Sequence, residues 1–277
     1  MVAHLLRLKL TLLRNGFRRS PWQLAGVIIG GLYALGIVAA GVTGLLLLRQ
    51  ADIATAQTVV VVGGAAAVLG WAVVPIVASA ADMTLDPSRF TTFTVPMPQL
   101  LTGLALAGLI GIPGAATSLV ALATVGTWSR GPLPVAGALA GAVLGTLTCV
   151  LVSKVVTTGT AGLASSRRFR DVSALALLVP LVLMGPIVAG VARGISGSAG
   201  FLAELARVRA WTPAGAAWAL GGELAAGRYG AAAAMLLIAL ASLAALAWCW
   251  KLLLQRALVT TPYAGTAKKT TSGLGLL

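Results

Sequence analysis

The chain is organised as long apolar runs separated by short clusters of charged residues. A helix needs about 20 apolar residues to cross the hydrocarbon core of a bilayer. Six runs reach that length, at residues 22–48, 58–81, 99–128, 134–157, 172–193 and 229–250. In lipid every backbone N–H and C=O must be paired within the protein, which leaves helices or a closed barrel. Because barrel strands alternate polar and apolar residues and these runs do not, the pattern predicts an all-α polytopic membrane protein with six transmembrane helices.

Two of the runs carry a local feature that refines this prediction. The third contains Gly111, Pro113 and Gly114 near its middle. Because glycine weakens a helix and proline removes a backbone donor, we expect this helix to be tilted or broken there. The sixth run ends in Trp248 and Trp250, which predict an aromatic belt at the membrane interface.

Residues 1–20 precede the first run and mix leucines with positive charges. The basic residues are Arg7, Lys9, Arg14, Arg18 and Arg19. This mixture is typical of an amphipathic helix that lies in the membrane interface; the alternative is a solvated leader that only sets topology. The chain is therefore divided into an interfacial helix at 1–20, a transmembrane domain at 21–250 and a cytoplasmic tail or linker at 251–277.

The distribution of positive charge predicts the orientation. With a cytoplasmic N-terminus, fourteen of the 20 Lys and Arg residues fall in cytoplasmic segments and the other six fall outside. Lys and Arg favour the cytoplasmic side, so both termini are predicted to be cytoplasmic in a multi-pass protein of the cell membrane. The outer segment 194–228 is apolar enough to form two short helices, at 201–209 and 210–218, that cap or enter the outer leaflet. The alternative is an irregular loop.

Glycines four residues apart recur in two of the runs. Gly26 and Gly30 lie in the first, and Gly137, Gly141 and Gly145 lie in the fourth. Faces of small residues let helices approach closely. The chain has 34 glycines in all, so composition alone also explains the spacing. Both explanations stay open, and the glycines do not establish an oligomer.

Composition and charge exclude several classes of protein. Hydrophobic residues make up 58% of the chain and charged residues 9%, against about 25% charged in soluble domains. The net charge of +14 fits cytoplasmic loops facing anionic lipid. No basic stripe with interleaved aromatics indicates nucleic-acid binding. The lipid bilayer, and not a nucleic acid, is therefore the expected partner of the basic residues.

The sequence contains no recognisable catalytic, metal or cofactor site. His4 is the only histidine, and the six carboxylates all lie outside the middle of the apolar runs. A phosphate-binding loop is absent. Proton- or sodium-coupled carriers place ionisable groups at the midplane, whereas Lys154 lies near the end of its run and can extend to the interface. We expect a protein that is not an enzyme and whose energy source lies elsewhere.

The segment after the second run is the most informative part of the sequence. Thr84 or Asp86 can cap a short helix that starts at Pro87. That helix would present Arg89 and Phe90 to the cytoplasm, a combination that is enriched at protein contacts. The alternative is a plain turn, which needs Asp and Pro but does not need Arg and Phe.

These motifs resemble the membrane subunit of actinobacterial ABC exporters of the type-2 class. The resemblance rests on TLDPSRF at 84–90, on residues 96–104 and 111–113, and on the segments 8–22 and 210–218. It covers nearly the whole chain. It implies six helices per half, an interfacial helix, a coupling helix between helices 2 and 3, and short outer helices between helices 5 and 6.

The resemblance also implies a mechanism and a set of partners. A lipophilic substrate would be exported by means of a separate pair of ABC ATPase subunits, which bind ATP and magnesium; this chain would bind no cofactor. The residues expected to dock on the ATPase are Asp82, Leu85, Asp86, Pro87, Arg89 and Phe90. The basic stretch from Arg7 to Arg19 would flank that contact.

Several alternatives remain open. Many members of the family fuse two such halves, so the chain is expected either to pair with a second copy of itself or to be the N-terminal half of a longer permease. A secondary carrier or channel is a rival function, which would need polar residues at a midplane site. A membrane scaffold without transport is the third possibility.

Overall fold

The computed structural model describes residues 21–78, 97–109, 111–163 and 199–259. Every regular element in these ranges is helical. The α-helices are α1 Pro21–Leu47, α2 Ile53–Ala78, α3 Met97–Leu109, α4 Ile112–Thr127, α5 Pro132–Leu163, α6 Ala199–Ala210, α7 Ala216–Ala225 and α8 Tyr229–Val259. A 3-10 turn, Leu48–Gln50, follows α1. The predicted interfacial helix, coupling segment and fifth span lie outside the described residues.

Four of the helices are long and apolar enough to cross a membrane. They contribute the segments Ile28–Gln50, Ile53–Val73, Pro132–Gly159 and Tyr229–Arg256, and α3 with α4 makes a fifth if the bent pair counts as one span. These helices match the first, second, fourth and sixth predicted runs. The all-helical prediction is confirmed for the described part of the chain, which fits a multi-pass membrane protein.

The third predicted helix is broken where the sequence indicates. The axes of α3 and α4 differ by 78°. Gly111 has φ 150°, a conformation that side chains disfavour, and its carbonyl accepts the first bond of α4 from the N–H of Ala115. A Cβ on Gly114 would lie 2.5 Å from the carbonyl oxygen of Leu109. The break therefore requires glycine at both positions.

Three short connections meet at one end of the bundle, which we call the loop end. They are residues 48–52, 128–131 and 226–228. Arg130 joins the first two, because its Nη2 donates to the carbonyl oxygens of Leu48 and Arg49, at 3.3 and 2.9 Å, and also to that of Ala51. Helices α1 and α4 run towards the loop end, and α2, α5 and α8 run away from it towards the far end.

Helix α5 lies at the centre of the packing. It contacts α2, α4, α7 and α8, whereas α1 packs mainly along α4. Most described side chains of α1 are exposed, including Ile29 and Leu35, which suits a helix that faces lipid. At the far end, Leu104 of α3 and Leu151 of α5 form a cluster with Trp250 and Leu254 of α8.

The expected aromatic belt at the end of α8 is present only in part. Trp248 is exposed and lies beneath Lys251, whose Nζ is 5.3 Å from the ring centroid. Trp250 is buried, and its Nε1 donates to Thr158 Oγ1 at 3.1 Å. Because side chains two apart on a helix point in nearly opposite directions, the two rings cannot share one face. The helix also continues to Val259, past the predicted boundary at 250.

Candidate functional site at the loop end

Helix α7 begins inside the bundle, runs towards the loop end and is enclosed by other helices. It packs against α2, α5 and α8, and its residues from Ala216 to Glu223 are all buried. The preceding turn is tied by the carbonyl of Thr212, which accepts from the N–H groups of Gly215 and Ala216. Inside a membrane such internal pairing is what permits an irregular turn.

The three spaced glycines of α5 form the groove that holds α7. Gly145 faces the ring of Trp218, Gly141 faces the carbonyl oxygen of Ala217, and Gly137 faces Leu224. The two glycines deeper in α5 thus meet the first turn of α7, whereas Gly137 meets its last turn, so the two helices are antiparallel. Because Gly145 lies thirteen residues inside α5, the first turn of α7 is about 20 Å from the start of that helix. The glycine face therefore serves contact within the chain.

Glycines on the other helices complete this close packing. A Cβ on Gly64 of α2 would overlap the ring of Trp218, and one on Gly221 of α7 would lie 2.5 Å from Trp128 Cδ1. Trp128 is 1% exposed and is the first residue of the connection from α4 to α5. The rings of Trp218 and Trp128, each packed against glycines, thus fix the position of α7.

A buried carboxylate ties α7 to α2 and to the connection before α8 at the loop end. Glu223 is 5% exposed. Its Oε1 accepts from Gln57 Nε2 at 2.5 Å and from Arg228 Nη2 at 3.0 Å, and its Oε2 accepts from Arg228 Nε at 2.6 Å. Arg228 Nη2 also donates to Gln57 Oε1 at 3.1 Å. We call Gln57, Glu223 and Arg228 the polar triad.

The geometry of the polar triad indicates a structural or binding role. The two-point contact between guanidinium and carboxylate is a strong, charge-assisted pair. It raises the pKa of Arg228 above its ordinary value, so that side chain stays charged. Both oxygens of Glu223 accept hydrogen bonds, which offsets the cost of burying the charge. A carboxylate held in this way is poorly placed to act as a base.

A cavity of about 530 Å³ opens beside the polar triad. Its walls come from the start of α2, the last turn of α6, the end of α7 and the first turns of α8. Apolar lining residues include Ile53, Ala54, Ala210, Ala231 and Met235, and the charged ones are Arg207, Glu223 and Arg228. The cavity thus combines apolar and charged walls, which suits an amphiphilic molecule.

Asp52 caps the helix that forms one wall of this cavity. Its Oδ2 accepts from the backbone N–H of Thr55 at 2.8 Å. Hydrogen bonds from the Thr55 side chain and backbone lower the pKa of Asp52 below 3.8. The carboxylate lies at the positive end of the α2 dipole, where a negative charge is stabilising.

We expect this cap to make thermal stability depend on acid pH. Because the folded-state pKa is depressed, its contribution is present above 3.8 and is lost as the pH falls through the lower folded value. The melting temperature in detergent micelles should therefore decline below pH 3.8. Asp52→Asn keeps a capping oxygen and should remove this component, whereas Asp52→Ala should lower stability already at pH 7. Identical acid profiles for the wild type and Asp52→Asn would contradict the assignment.

The structure brings together residues that the sequence did not single out. Gln57 and Glu223 are 166 positions apart, and nothing local marks either as a partner of the other. The short outer helices were predicted at 201–209 and 210–218; α6 agrees, but α7 starts only at Ala216. Pro213 lacks the N–H that would continue α6, so residues 211–215 form a turn.

The predicted docking and interfacial residues do not bear on this site. Asp82 to Phe90 and Arg7 to Arg19 lie outside the described residues, so their roles remain predictions.

Within the described ranges, no group of three His, Cys, Asp or Glu side chains is placed to hold a metal ion. No family model matches the chain, and no curated protein or solved structure shows significant similarity to it.

Proposed function

We propose that the chain is the transmembrane subunit of an ATP-driven exporter of the ABC type, which moves a lipophilic substrate with energy from a separate pair of ATPase subunits. The observation that carries the proposal is the short helix pair α6 and α7, of which α7 runs inside the bundle towards the loop end. The resemblance implies short outer helices before the last span, on the side opposite the coupling segment. Helix α2 ends, and α3 begins, at the far end, where that segment would lie.

The positive charges of the whole sequence support the same orientation. In the six-span arrangement the segments on the far-end side hold fourteen of the 20 Lys and Arg residues, including Lys154, Lys251 and Arg256, and the segments on the loop-end side hold the other six. Lys and Arg favour the cytoplasmic side. The far end is thus the cytoplasmic one in this proposal, and the cell membrane is the location.

The path of the chain supports an even number of spans. Helix α5 ends at the far end, near α3 and the last turns of α8. The last turn of α6 lies next to the start of α7, because a Cβ on Gly215 would overlap the carbonyl oxygen of Arg209. In this proposal the fifth span, predicted at 172–193 outside the described residues, joins the far end to the outer side. Six spans would place both termini in the cytoplasm.

The distribution of ionisable groups favours an external source of energy. In the described spanning segments the charged side chains are Arg49, Lys154, Lys251 and Arg256, all near an end, and none is a carboxylate. A proton or sodium relay needs such groups at the midplane. ATP binding by the partner would instead move helices as rigid bodies through the coupling segment.

The decisive experiment targets the predicted docking residues. A tagged chain purified from its native membrane is expected to retain an ATPase, identified by mass spectrometry through its phosphate-binding loop. Arg89→Glu combined with Phe90→Ala should reduce the retained ATPase at least tenfold, because loss of an arginine and an aromatic anchor costs about 2 kcal/mol or more each at an interface. Export of substrate should fall in parallel.

A control at the opposite end separates docking from general damage. Arg209→Glu reverses a charge on α6 at the loop end and should leave ATPase retention unchanged. Retention and export that survive the double substitution would disprove docking at this segment. Transport that continues without ATP but stops when the proton gradient collapses would instead establish a secondary carrier. A purified protein that retains no ATPase and shows no transport would establish a scaffold. The mass of the intact complex distinguishes a pair of identical chains from a pairing with a different permease half.

A further inference from the structure

The loop-end cavity has the form of a site for a molecule with one apolar and one charged end. Its walls beneath the polar triad are built from alanines, Ile53 and Met235. The triad and Arg207 line the same cavity at the loop end. Apolar and charged linings in one cavity match an amphiphile better than they match a sugar, a nucleotide or a metal ion.

The charged lining favours an anion. Arg207, Glu223 and Arg228 together give the cavity a formal charge of +1, and the charge of Glu223 is already balanced within the polar triad. The bonds of Arg228 use Nε and Nη2, which leaves its Nη1 available. Arg207 forms a pair with Glu204 at 3.0 Å, but both side chains are largely exposed. Exposed pairs of this kind are weak, so Arg207 can turn to a ligand at little cost.

An aromatic side chain marks the loop end of the cavity as a membrane surface. Tyr229, which is 59% exposed, begins α8 directly after the lining residue Arg228, whereas Trp211 lines the cavity further inside, in the turn before α7. Trp and Tyr concentrate where lipid headgroups meet the hydrocarbon. A molecule that enters this cavity therefore reaches it from the interface, with the arginines at headgroup level and the alanines beside the acyl chains.

We propose that the loop-end cavity binds an anionic membrane phospholipid. The phosphate lies between Arg207 and Arg228, and one acyl chain occupies the wall formed by Ala54, Ala210 and Ala231. The lipid bridges α6, α2 and α8 at the entrance to the groove of α7. This site does not depend on the proposed transport function, since it requires only the membrane and the described helices.

The test uses the full chain in mild detergent with phosphatidylglycerol and phosphatidylcholine at equal concentration, analysed by native mass spectrometry. The protein is expected to retain phosphatidylglycerol in preference to phosphatidylcholine. Arg207→Gln should weaken that retention about fivefold, the effect of one arginine on an anionic lipid surface. Arg209→Gln is the matched control, because Arg209 is on the same helix but does not line the cavity, and it should have no effect.

A second pair of variants tests the apolar wall without altering charge. Ala231→Leu places a larger side chain in the cavity and should reduce retention of phosphatidylglycerol at least fivefold. Ala233→Leu adds the same volume at an exposed position of α8 that does not line the cavity, and should not change it. An alkyl phosphate should displace the lipid at concentrations where inorganic phosphate does not, because only the former fills the apolar wall.

Three outcomes would overturn the proposal. Equal losses in Arg207→Gln and Arg209→Gln would show diffuse attraction to the surface charge. Unchanged retention in Ala231→Leu, with a melting temperature equal to that of the wild type, would show that the acyl chain lies elsewhere. Displacement by inorganic phosphate as effective as that by an alkyl phosphate would show an anion site without a lipid component.

Discussion

Replacing Gly141 with alanine is expected to destabilise the protein by about 1–3 kcal/mol, the usual cost of overpacking a well-packed contact. Alanine is the better helix former by about 1 kcal/mol, so propensity alone predicts the opposite sign. The new Cβ would overlap the carbonyl oxygen of Ala217. A backbone atom cannot rotate away, and α7 is held on its other sides by α2 and α8. The whole of α7 would have to move.

Thermal unfolding in detergent micelles measures this effect, and the same helix offers a control. A Cβ on Gly159 would meet only Leu253 Cδ1, at an ordinary contact distance of 3.7 Å. Gly159→Ala should therefore be neutral or slightly stabilising. A melting temperature that rises equally in both variants would show that the glycines of α5 are not a packing requirement.

Removing the positive charge of the polar triad is expected to destabilise the protein more than removing the negative charge. Arg228→Met leaves a buried carboxylate with Gln57 as its only remaining partner in the triad, and should cost about 2–3 kcal/mol. Glu223→Gln leaves an arginine whose side chain is 53% exposed, so water can replace the lost bonds. That change should cost about 1 kcal/mol or less. The more exposed residue of the pair is thus the more costly one to lose.

A double-mutant cycle separates this asymmetry from unrelated damage. The double variant Arg228→Met with Glu223→Gln should be more stable than Arg228→Met alone, because no buried charge is then stranded. Glu204→Gln, which removes the exposed pair with Arg207, should change stability by less than about 0.5 kcal/mol. Equal costs for the two single variants, with strict additivity in the double, would contradict the assigned role of the triad.

Much of the fold could be predicted because lipid imposes a simple rule on the backbone. The lengths of the apolar runs identify the described spans, and Gly111 with Pro113 marks the break between α3 and α4. The start of α7 was placed too early because Pro213 cannot continue a helix, and the local pairing of Thr212 with Gly215 makes residues 211–215 a turn. Likewise, Trp250 belongs to the core because α8 continues beyond it against α5.

The candidate site could not be predicted for a different reason. Glu223 lies in a segment that reads as an outer loop, and its partner Gln57 is a neutral residue at the start of a distant helix. Gly137, Gly141 and Gly145 are compatible with lipid, with a second copy or with composition alone. Only the packing of α7 shows that their partner belongs to the same chain. Long-range contacts between small or neutral residues leave no periodic pattern along the sequence.

The enclosure of α7 has a consequence for how the polypeptide matures. Two of its three neighbours, α2 and α5, are synthesised before it, and α8 is synthesised after it. The groove is therefore open on one side when α7 leaves the ribosome. Arg228, the residue that neutralises Glu223, follows within the next few positions. Burial of that carboxylate and closure by α8 are thus coupled, so the centre of the bundle is complete only after α8 has been synthesised.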